Sequence, residues 1–419
     1  NCLDYPQKEE LFKELYPADF ILEGKDQIRG WFNLLLVASM VSMDKHSFKN
    51  VYMHGFIQDS QGRKMSKSLG NQIRPNEIID KYGADTLRYY MISAAKPGLD
   101  MNYNMEDTEV KYRNLFVFWN IQHLITDLAK SINEKPSKPD YKKVGLEEKF
   151  ILSKMHSTIK EVTETFENFK INETPTKVEE LLLDLSRNYI QLIREKSVTG
   201  TKEEKKIILD TMFEVYMNGL KLLTPITPFI TERIYQNMKK EFNLKEESIH
   251  LTEWPGYDEK LINKELEIEF ELAGKIIAST LACRDQANIG VRWPLENISI
   301  ETEDKSVKET IKKLGEIIKS QVNIKEIKFE KIKLDYEIKP NYAKLGRKFG
   351  HDTPKVGELI QKHKEDIIKN IENEKVSIEG FELTPKEDLE IKYITPENYK
   401  MSEFLGTRIF LNIKMDESL

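Results

Sequence analysis

The sequence predicts a multidomain protein: an α/β region, then an α-helical bundle, then an α+β C-terminal domain. Three observations predict it. Short apolar runs alternate with turn-flanked helices over the first hundred residues. Long helices on Pro- and Gly-bearing loops follow from about residue 105. After Trp254-Pro255-Gly256, one more long helix gives way to short β runs and further helices. The boundaries are 1–104, 105–256 and 257–419. A chain of 419 residues has room for them at about 150 residues per domain.

In the first region, residues 19–24 form a short buried strand ended by glycine. Residues 29–43 form a strongly apolar helix with Trp31, Leu34, Leu35 and Ala38 on one face. Residues 51–57 are a second strand and 59–62 a tight turn. Pro75 starts a helix that Gly83 stops, and Asp85 is placed to cap the next. That grammar is a parallel sheet. In the second region the helices are 109–132, 146–169, 176–197, 202–223 and 228–242, the last with Thr227 as its N-cap. In the third, a helix spans 259–288. Strands at 295–300 and 324–329 flank a helix at 305–319, and a helix at 354–372 precedes strands at 391–394 and 408–414.

Composition narrows the function classes. Charged residues are 32% and hydrophobic ones 39%, the balance of a soluble, helix-leaning chain. The net charge of −6 is not the uniform basicity of a nucleic-acid binder, although it does not constrain local patches. Cys2 and Cys283 lie far apart with no CxxC, which disfavours a disulfide framework or cysteine zinc site and fits a reducing cytoplasm. The histidines include no HxxxH pair, so no metal site is expected. The longest apolar run, around Leu34 to Ala38, is far short of the ~20 residues that cross a bilayer. No signal peptide opens the chain, and Asn1 reads as mid-domain sequence, so a fragment is expected. Lysine pairs at 142–143, 205–206 and 312–313 read as solvated faces.

The sharpest chemical feature is Gly62-Arg63-Lys64-Met65-Ser66-Lys67-Ser68-Leu69-Gly70-Asn71. Two lysines three apart among small residues make a loop that can wrap polyanionic phosphate and stabilise charge developing in nucleotidyl transfer. On the residues alone it reads equally as an exposed basic turn whose serines cap the next helix. Lys64-Met65-Ser66-Lys67-Ser68 is, however, identical to the KMSKS signature of class I aminoacyl-tRNA synthetases, and His54-Gly55-Phe56-Ile57-Gln58-Asp59 resembles the strand that delivers that loop. Glu23-Gly24-Lys25-Asp26-Gln27-Ile28-Arg29-Gly30-Trp31-Phe32 resembles a segment of the isoleucyl-tRNA synthetases.

The resemblance implies a partial Rossmann-like catalytic domain, an anticodon-binding bundle and an RNA-associated C-terminal domain. The implied activity is ATP-dependent joining of L-isoleucine to tRNA(Ile) through isoleucyl-adenylate, with ATP and Mg2+, in a cytoplasmic monomer. By the same resemblance Glu23, Gly24, Asp26 and Gln27 contact the aminoacyl-adenylate and Trp31 lines the side-chain pocket. Lys64 and Lys67, with Ser66, stabilise the ATP phosphates, and His54 lies on the adenine side. A carboxylate of Glu23 or Asp26 can pair with an ammonium or accept from a ribose hydroxyl, Gln27 can bind an α-amino group, and Trp31 offers a flat apolar face. Otherwise Trp31 is helix core, Asp26 a cap and His54 a satisfied structural histidine.

Further along, residues 111–120, with Asn114, Trp119 and Asn120, resemble the first bundle helix of the same family. Arg187 and Arg194 sit in a segment that resembles a later bundle helix and are candidate tRNA contacts, or surface salt bridges. Residues 284–295 and 339–346 resemble the C-terminal domain of the archaeal/eukaryotic-like isoleucyl-tRNA synthetases. The family's HIGH signature and editing domain are absent and would precede Asn1, so the resemblance implies the C-terminal portion of a longer enzyme, inactive alone. Two other readings stand: a non-catalytic tRNA-binding module derived from a synthetase, and a valine-specific enzyme of the same class.

Overall fold

The computed structural model describes residues 7–371 and 373–414. The chain divides into two compact units, Asn1–Glu267 and Ile268–Leu419. Cys2 and the expected helix end at Glu372 lie outside the described residues.

The first unit opens with α1 (Glu9–Leu15) and β1 (Ala18–Gly24), then a 3-10 turn, Lys25–Arg29, and α2 (Trp31–Met43). β2 (Phe48–His54), β3 (Ile57–Gln58), α3 (Pro75–Tyr82), α4 (Ala84–Ala94) and β4 (Met101–Asn102) follow. β1 runs parallel to β2, with Ala18 opposite Phe48 and Gly24 opposite His54, and β3 runs parallel to β4. The single expected strand 51–57 is two strands because the backbone at Gly55 packs so closely that an added Cβ would lie 2.0 Å from the Leu99 carbonyl oxygen. Gly83, at φ +86, ends α3 in a conformation few other residues adopt. Ile78, Tyr82, Tyr90, Met101 and Tyr103 form a small core beneath these elements.

α2 is apolar, as expected, yet largely exposed. Only Phe32 and Ser39 are buried, while Leu34 is 67% and Val41 84% exposed, and Trp31 and Ala38 also face solvent. Among the described residues of this unit no layer covers that face.

The helical region of this unit is α5 (Met105–Ile132), α6 (Leu146–Glu167), α7 (Thr174–Leu183), α8 (Ile190–Leu192), α9 (Arg194–Thr199), α10 (Lys202–Leu223) and α11 (Pro228–Phe242). Ile151, Ile159, Leu181, Leu182, Val215 and Leu220 have no exposed surface, so burial of aliphatic stripes stabilises the bundle. A Cβ on Gly219 would lie 2.7 Å from Leu182 Cδ2, so glycine allows α10 to approach α7.

Several expected bounds move. α5 begins at Met105, four residues early, because the Asn104 side chain accepts from the Glu106 N–H. The expected helix 176–197 is broken by a π-helical turn, Asp184–Tyr189, where Asn188 Nδ2 donates to Asp184 Oδ1 and Lys154 lies 3.6 Å from Asp184 Oδ2. Thr227 makes no cap; Asp85, itself inside α4, caps α11 instead by accepting the Ile230 N–H at 2.5 Å. Beside it Arg88 donates to the Ile226 and Pro225 carbonyls. Burial raises the Asp85 carboxyl above its ordinary value, against those N–H bonds.

α12 (Lys264–Gln286) contains the division between the units. It starts later than expected, the Asn263 side chain accepting the Leu266 N–H. The second unit continues with β5 (Leu295–Glu301), α13 (Lys305–Val322), β6 (Ile324–Phe329), β7 (Asp335–Pro340), α14 (Tyr342–Phe349), α15 (Thr353–Lys362) and α16 (Lys364–Lys369). Then come β8 (Val376–Ile378), β9 (Phe381–Leu383), α17 (Pro385–Asp388), β10 (Leu389–Ile394), β11 (Tyr399–Phe404) and β12 (Thr407–Asn412). Four strands form a sheet in the order β11-β12-β5-β6, and β7 pairs with β10 beside a second core built on Ile338, Leu345, Val356, Ile360 and Leu383. The expected helix 354–372 is two helices, α15 and α16, breaking at His363.

Arg284, 1% exposed, donates to the carbonyls of Val322, Asn323, Gly290 and Trp293, so this buried cation is satisfied by main chain. Next to it Cys283 is buried and free, its thiol pushed up to about 12 by burial. Of the lysine pairs expected to be solvated, Lys206 departs. It is half-buried, with Nζ 2.6 Å from both Asp210 oxygens.

Candidate active site

Two clusters of expected site residues emerge, joined in sequence by β2 and β3. The first sits where β1 and β2 end side by side. A Cβ on Gly24 would lie 2.6 Å from Asp26 Oδ1 and 3.5 Å from His54 Cε1, so glycine lets the Asp26 carboxylate and the His54 ring share one corner. The adjoining Glu23 pairs with Met53, and its Oε2 accepts the Gly24 N–H at 3.3 Å.

Gln27 is used differently from the expectation. Its Nε2 donates to Asp26 Oδ2 at 2.8 Å and its Oε1 accepts the Trp31 N–H at 2.9 Å. Gln27, not Asp26, therefore caps α2 and orients the Asp26 carboxylate. Gly30 allows this, since a Cβ there would lie 2.7 Å from Gln27 Oε1. Trp31 is 42% exposed, its ring tilted against Phe32, so it is not helix core. His54 Nδ1 pairs with the Gly55 carbonyl at 2.9 Å. With Leu22, Tyr52, Phe56 and Met91 it lines an apolar cavity of about 470 Å³. Lys25 closes the corner, 2.6 Å from Asp100 Oδ1, which also accepts the Phe56 N–H.

The second cluster is the Lys64–Ser68 loop. Asp59 holds its base. Its carboxylate accepts the Gln61 and Arg63 N–H groups at 3.0 and 2.8 Å, Arg63 Nε at 2.8 Å, and Asn71 Nδ2 at 2.9 Å. Asn71 in turn accepts the Ser66 N–H at 2.9 Å and donates to the Lys64 carbonyl at 3.3 Å. Those bonds, Asn71's first, hold the Asp59 carboxyl below the ordinary carboxylate range. The network is thus complete at neutral pH and is lost only as pH falls below that range.

Met65, partly buried, packs against the Ile78–Tyr103 core. Ser66 Oγ accepts the Leu69 N–H, so the serines close the loop upon itself rather than capping α3, which has no side-chain cap. Lys64 and Lys67 are exposed, and among the described residues no carboxylate lies within ion-pair distance of either. A loop pinned at both stems with two unneutralised ammonium groups can meet a polyanion.

No hydrogen bond or ion pair joins the two clusters among the described residues. Arg187, in the π-helical turn, and Arg194, at the start of α9, are both exposed, and among the described residues neither has a carboxylate within ion-pair distance. Sequence reasoning missed Asp59 and Asn71 as the pins of the loop; the visible signal was an acidic turn residue and an amide flanking a basic run.

Known proteins resemble this chain throughout. A family model described as tRNA synthetases class I (I, L, M and V) matches residues 1–104, and one described as the anticodon-binding domain of tRNA ligase matches residues 148–300. "Isoleucine--tRNA ligase" of Thermococcus kodakarensis is 38% identical over 100% of this chain and 39% of its own length. That of Pyrococcus abyssi is 37% identical over the same shares, and that of Archaeoglobus fulgidus 35% over 100% of this chain and 41% of its own. The chain spans about two fifths of the length of these curated relatives. Among solved structures, the ternary complex of Agrobacterium radiobacter K84 agnB2 LeuRS with tRNA and LeuAMS is a looser match. Its TM-score is 0.48 at 20% identity, over 61% of this chain and 30% of that one. With its similarity to the isoleucine--tRNA ligases running from end to end, the chain belongs to the class I tRNA synthetases.

Proposed function

We propose that this chain is the C-terminal portion of an ATP-dependent ligase that joins L-isoleucine to tRNA(Ile). The observation that carries this reading is the Lys64–Ser68 loop: two lysines, without a carboxylate partner among the described residues, on a loop pinned by Asp59 and Asn71, which follows Glu23 and Asp26 in the sequence order of the family. The uncovered apolar face of α2 supports the portion reading, since Val41 at 84% exposure calls for further protein surface. The three parts are assigned as a partial catalytic domain over 1–104, an anticodon-binding bundle over 105–256 and an RNA-associated domain over 257–419.

In the first step a carboxylate oxygen of isoleucine attacks the α-phosphorus of ATP, the bond from that phosphorus to pyrophosphate breaks, and isoleucyl-adenylate forms. Lys64 and Lys67 stabilise the charge that gathers on the leaving pyrophosphate, with Ser66 beside them. Asp26 or Glu23 meets the substrate ammonium or the adenylate ribose, Trp31 faces the branched side chain, and His54 lies toward the adenine. Gln27 acts through Asp26, which it orients at 2.8 Å. In the second step a terminal ribose hydroxyl of the tRNA attacks the acyl carbon, loses its proton, and AMP leaves. Arg187 and Arg194 contribute cations to the tRNA surface.

Magnesium belongs to this reading only as part of the MgATP substrate. Among the described residues no group of three His, Cys, Asp or Glu could hold a metal. Among them, too, no helix is long and apolar enough to cross a membrane.

ATP–pyrophosphate exchange on the full-length gene product, run with each amino acid, tests the reading. Exchange dependent on isoleucine supports it. Exchange dependent on valine reassigns the substrate, and no exchange with any amino acid leaves only a tRNA-binding module.

A further inference from the structure

The matched families end at residue 300, and the helix pair α14–α15 lies beyond them. Residues 339–364 carry seven lysines and arginines against two acidic residues, in a chain of net charge −6. On α14, Leu345 is fully buried, while Lys344, Arg347 and Lys348 lie three and four apart on the opposite, exposed face. The helix contains no acidic residue.

Several other lysines of this unit are ion-paired. Lys313 pairs with Glu269, Lys319 with Glu316, Lys328 with Glu326 and Lys375 with Glu382. Lys348 is likewise held, 2.6 Å from Asp388 Oδ2, and Lys355 sits 5.6 Å over the Phe381 ring. Lys344 and Arg347 have no carboxylate within ion-pair distance among the described residues. Tyr342, 60% exposed, rests its ring on α15 at Gly357, where a Cβ would come within 3.0 Å of it. A fixed aromatic face thus stands beside two free cations.

We infer that the basic face of α14 (Lys344, Arg347 and Lys348), with the Tyr342 ring, binds the phosphate backbone of RNA. Free cations neutralise phosphates, an anchored ring stacks on a base, and both act without reading sequence. A protein partner would need an apolar centre, and between the cations this face offers only Ala343 and Gly346. Naming the RNA as the tRNA of the proposed ligase rests on the function proposed above; the contact itself does not.

The test uses the full-length protein, binding to tRNA across a salt series, and the double substitution Lys344→Glu with Arg347→Glu. The control is Lys308→Glu with Lys312→Glu, two exposed lysines on α13 with no carboxylate within ion-pair distance among the described residues. We expect the α14 variant to lose at least tenfold in tRNA affinity at low salt. The slope of log affinity against log salt should shrink by about one to two. The control should stay within twofold of wild type and ATP–pyrophosphate exchange should be unchanged in both. Tyr342→Ala should weaken binding severalfold with the slope intact. Affinity and slope unchanged in the α14 variant, or an equal loss in the control, overturns the inference. Loss of exchange in the wild type would defeat the ligase reading while leaving the binding result to stand or fall alone.

Discussion

The bundle and the strand corner of the first unit are held by opposite means. Leu181, Leu182 and Val215 in the bundle are wholly buried, so apolar area removed from water fixes their positions. At the corner, α2 buries two side chains, and what fixes geometry is hydrogen bonding: Gln27 to Asp26 and Trp31, and Asp59 to Arg63 and Asn71. Packing tolerates no cavity. Polar pins leave the candidate site's side chains unburied and their charges unspent, as the proposed contact with ATP requires.

The largest expected effect breaks the comparison on stability. Leu181→Ala in the bundle should destabilise this chain by about 2–5 kcal/mol, the range for emptied core positions. Val41→Ala on α2 should fall within about 0.5 kcal/mol. Denaturant midpoints of the two variants decide it, and equal losses would mean that α2 is covered in solution.

Next is chemistry. Lys67→Ala in the full-length protein should slow ATP–pyrophosphate exchange about 10²–10³-fold, the scale for losing one preorganised charge-stabilising group. Its tRNA affinity should remain. Loss of tRNA binding with normal exchange would place Lys67 in the wrong half of the comparison.

The two regions also differ in how legible they were. Bundle helices follow apolar periodicity, which is local in sequence. The errors there came from contacts that are not local: the cap of α11 comes from Asp85, and the π-helical turn leans on Lys154. At the corner the residue types in order marked a candidate site, while burial was not legible. Trp31 had helix core as its alternative reading because its neighbours are apolar, yet burial depends on a covering layer that the sequence of α2 does not encode. Gln27 read as a ligand group because nothing in its spacing shows that Gly30 leaves room for it to cap α2.

A smaller effect sharpens the role of the polar pins. Asp59→Asn keeps the shape but removes the charge that faces Arg63. Exchange should fall about tenfold or somewhat more, as for modest misplacement of reacting groups. The loss should lie in kcat, with the isoleucine KM unchanged. A raised isoleucine KM with unchanged kcat would put Asp59 in the amino-acid pocket instead.

The smallest effect is in the bundle, where one polar group is held by packing. His156 is buried, its Nδ1 accepts the Asp258 N–H at 3.3 Å, and its Nε2 lies 3.3 Å from the Tyr141 hydroxyl. Burial lowers its basicity below the ordinary histidine value. As pH falls through that ordinary value, about 6.5, the unfolded chain takes up a proton that the folded bundle does not, so stability must fall with pH. One proton bounds the slope at about 1.4 kcal/mol per pH unit. Urea midpoints measured between pH 7.5 and 5.5 should decline in the native protein. They should decline less in His156→Gln, which keeps a polar side chain but cannot charge. Parallel declines in the two would trace the pH dependence to other groups, leaving packing alone to account for the bundle.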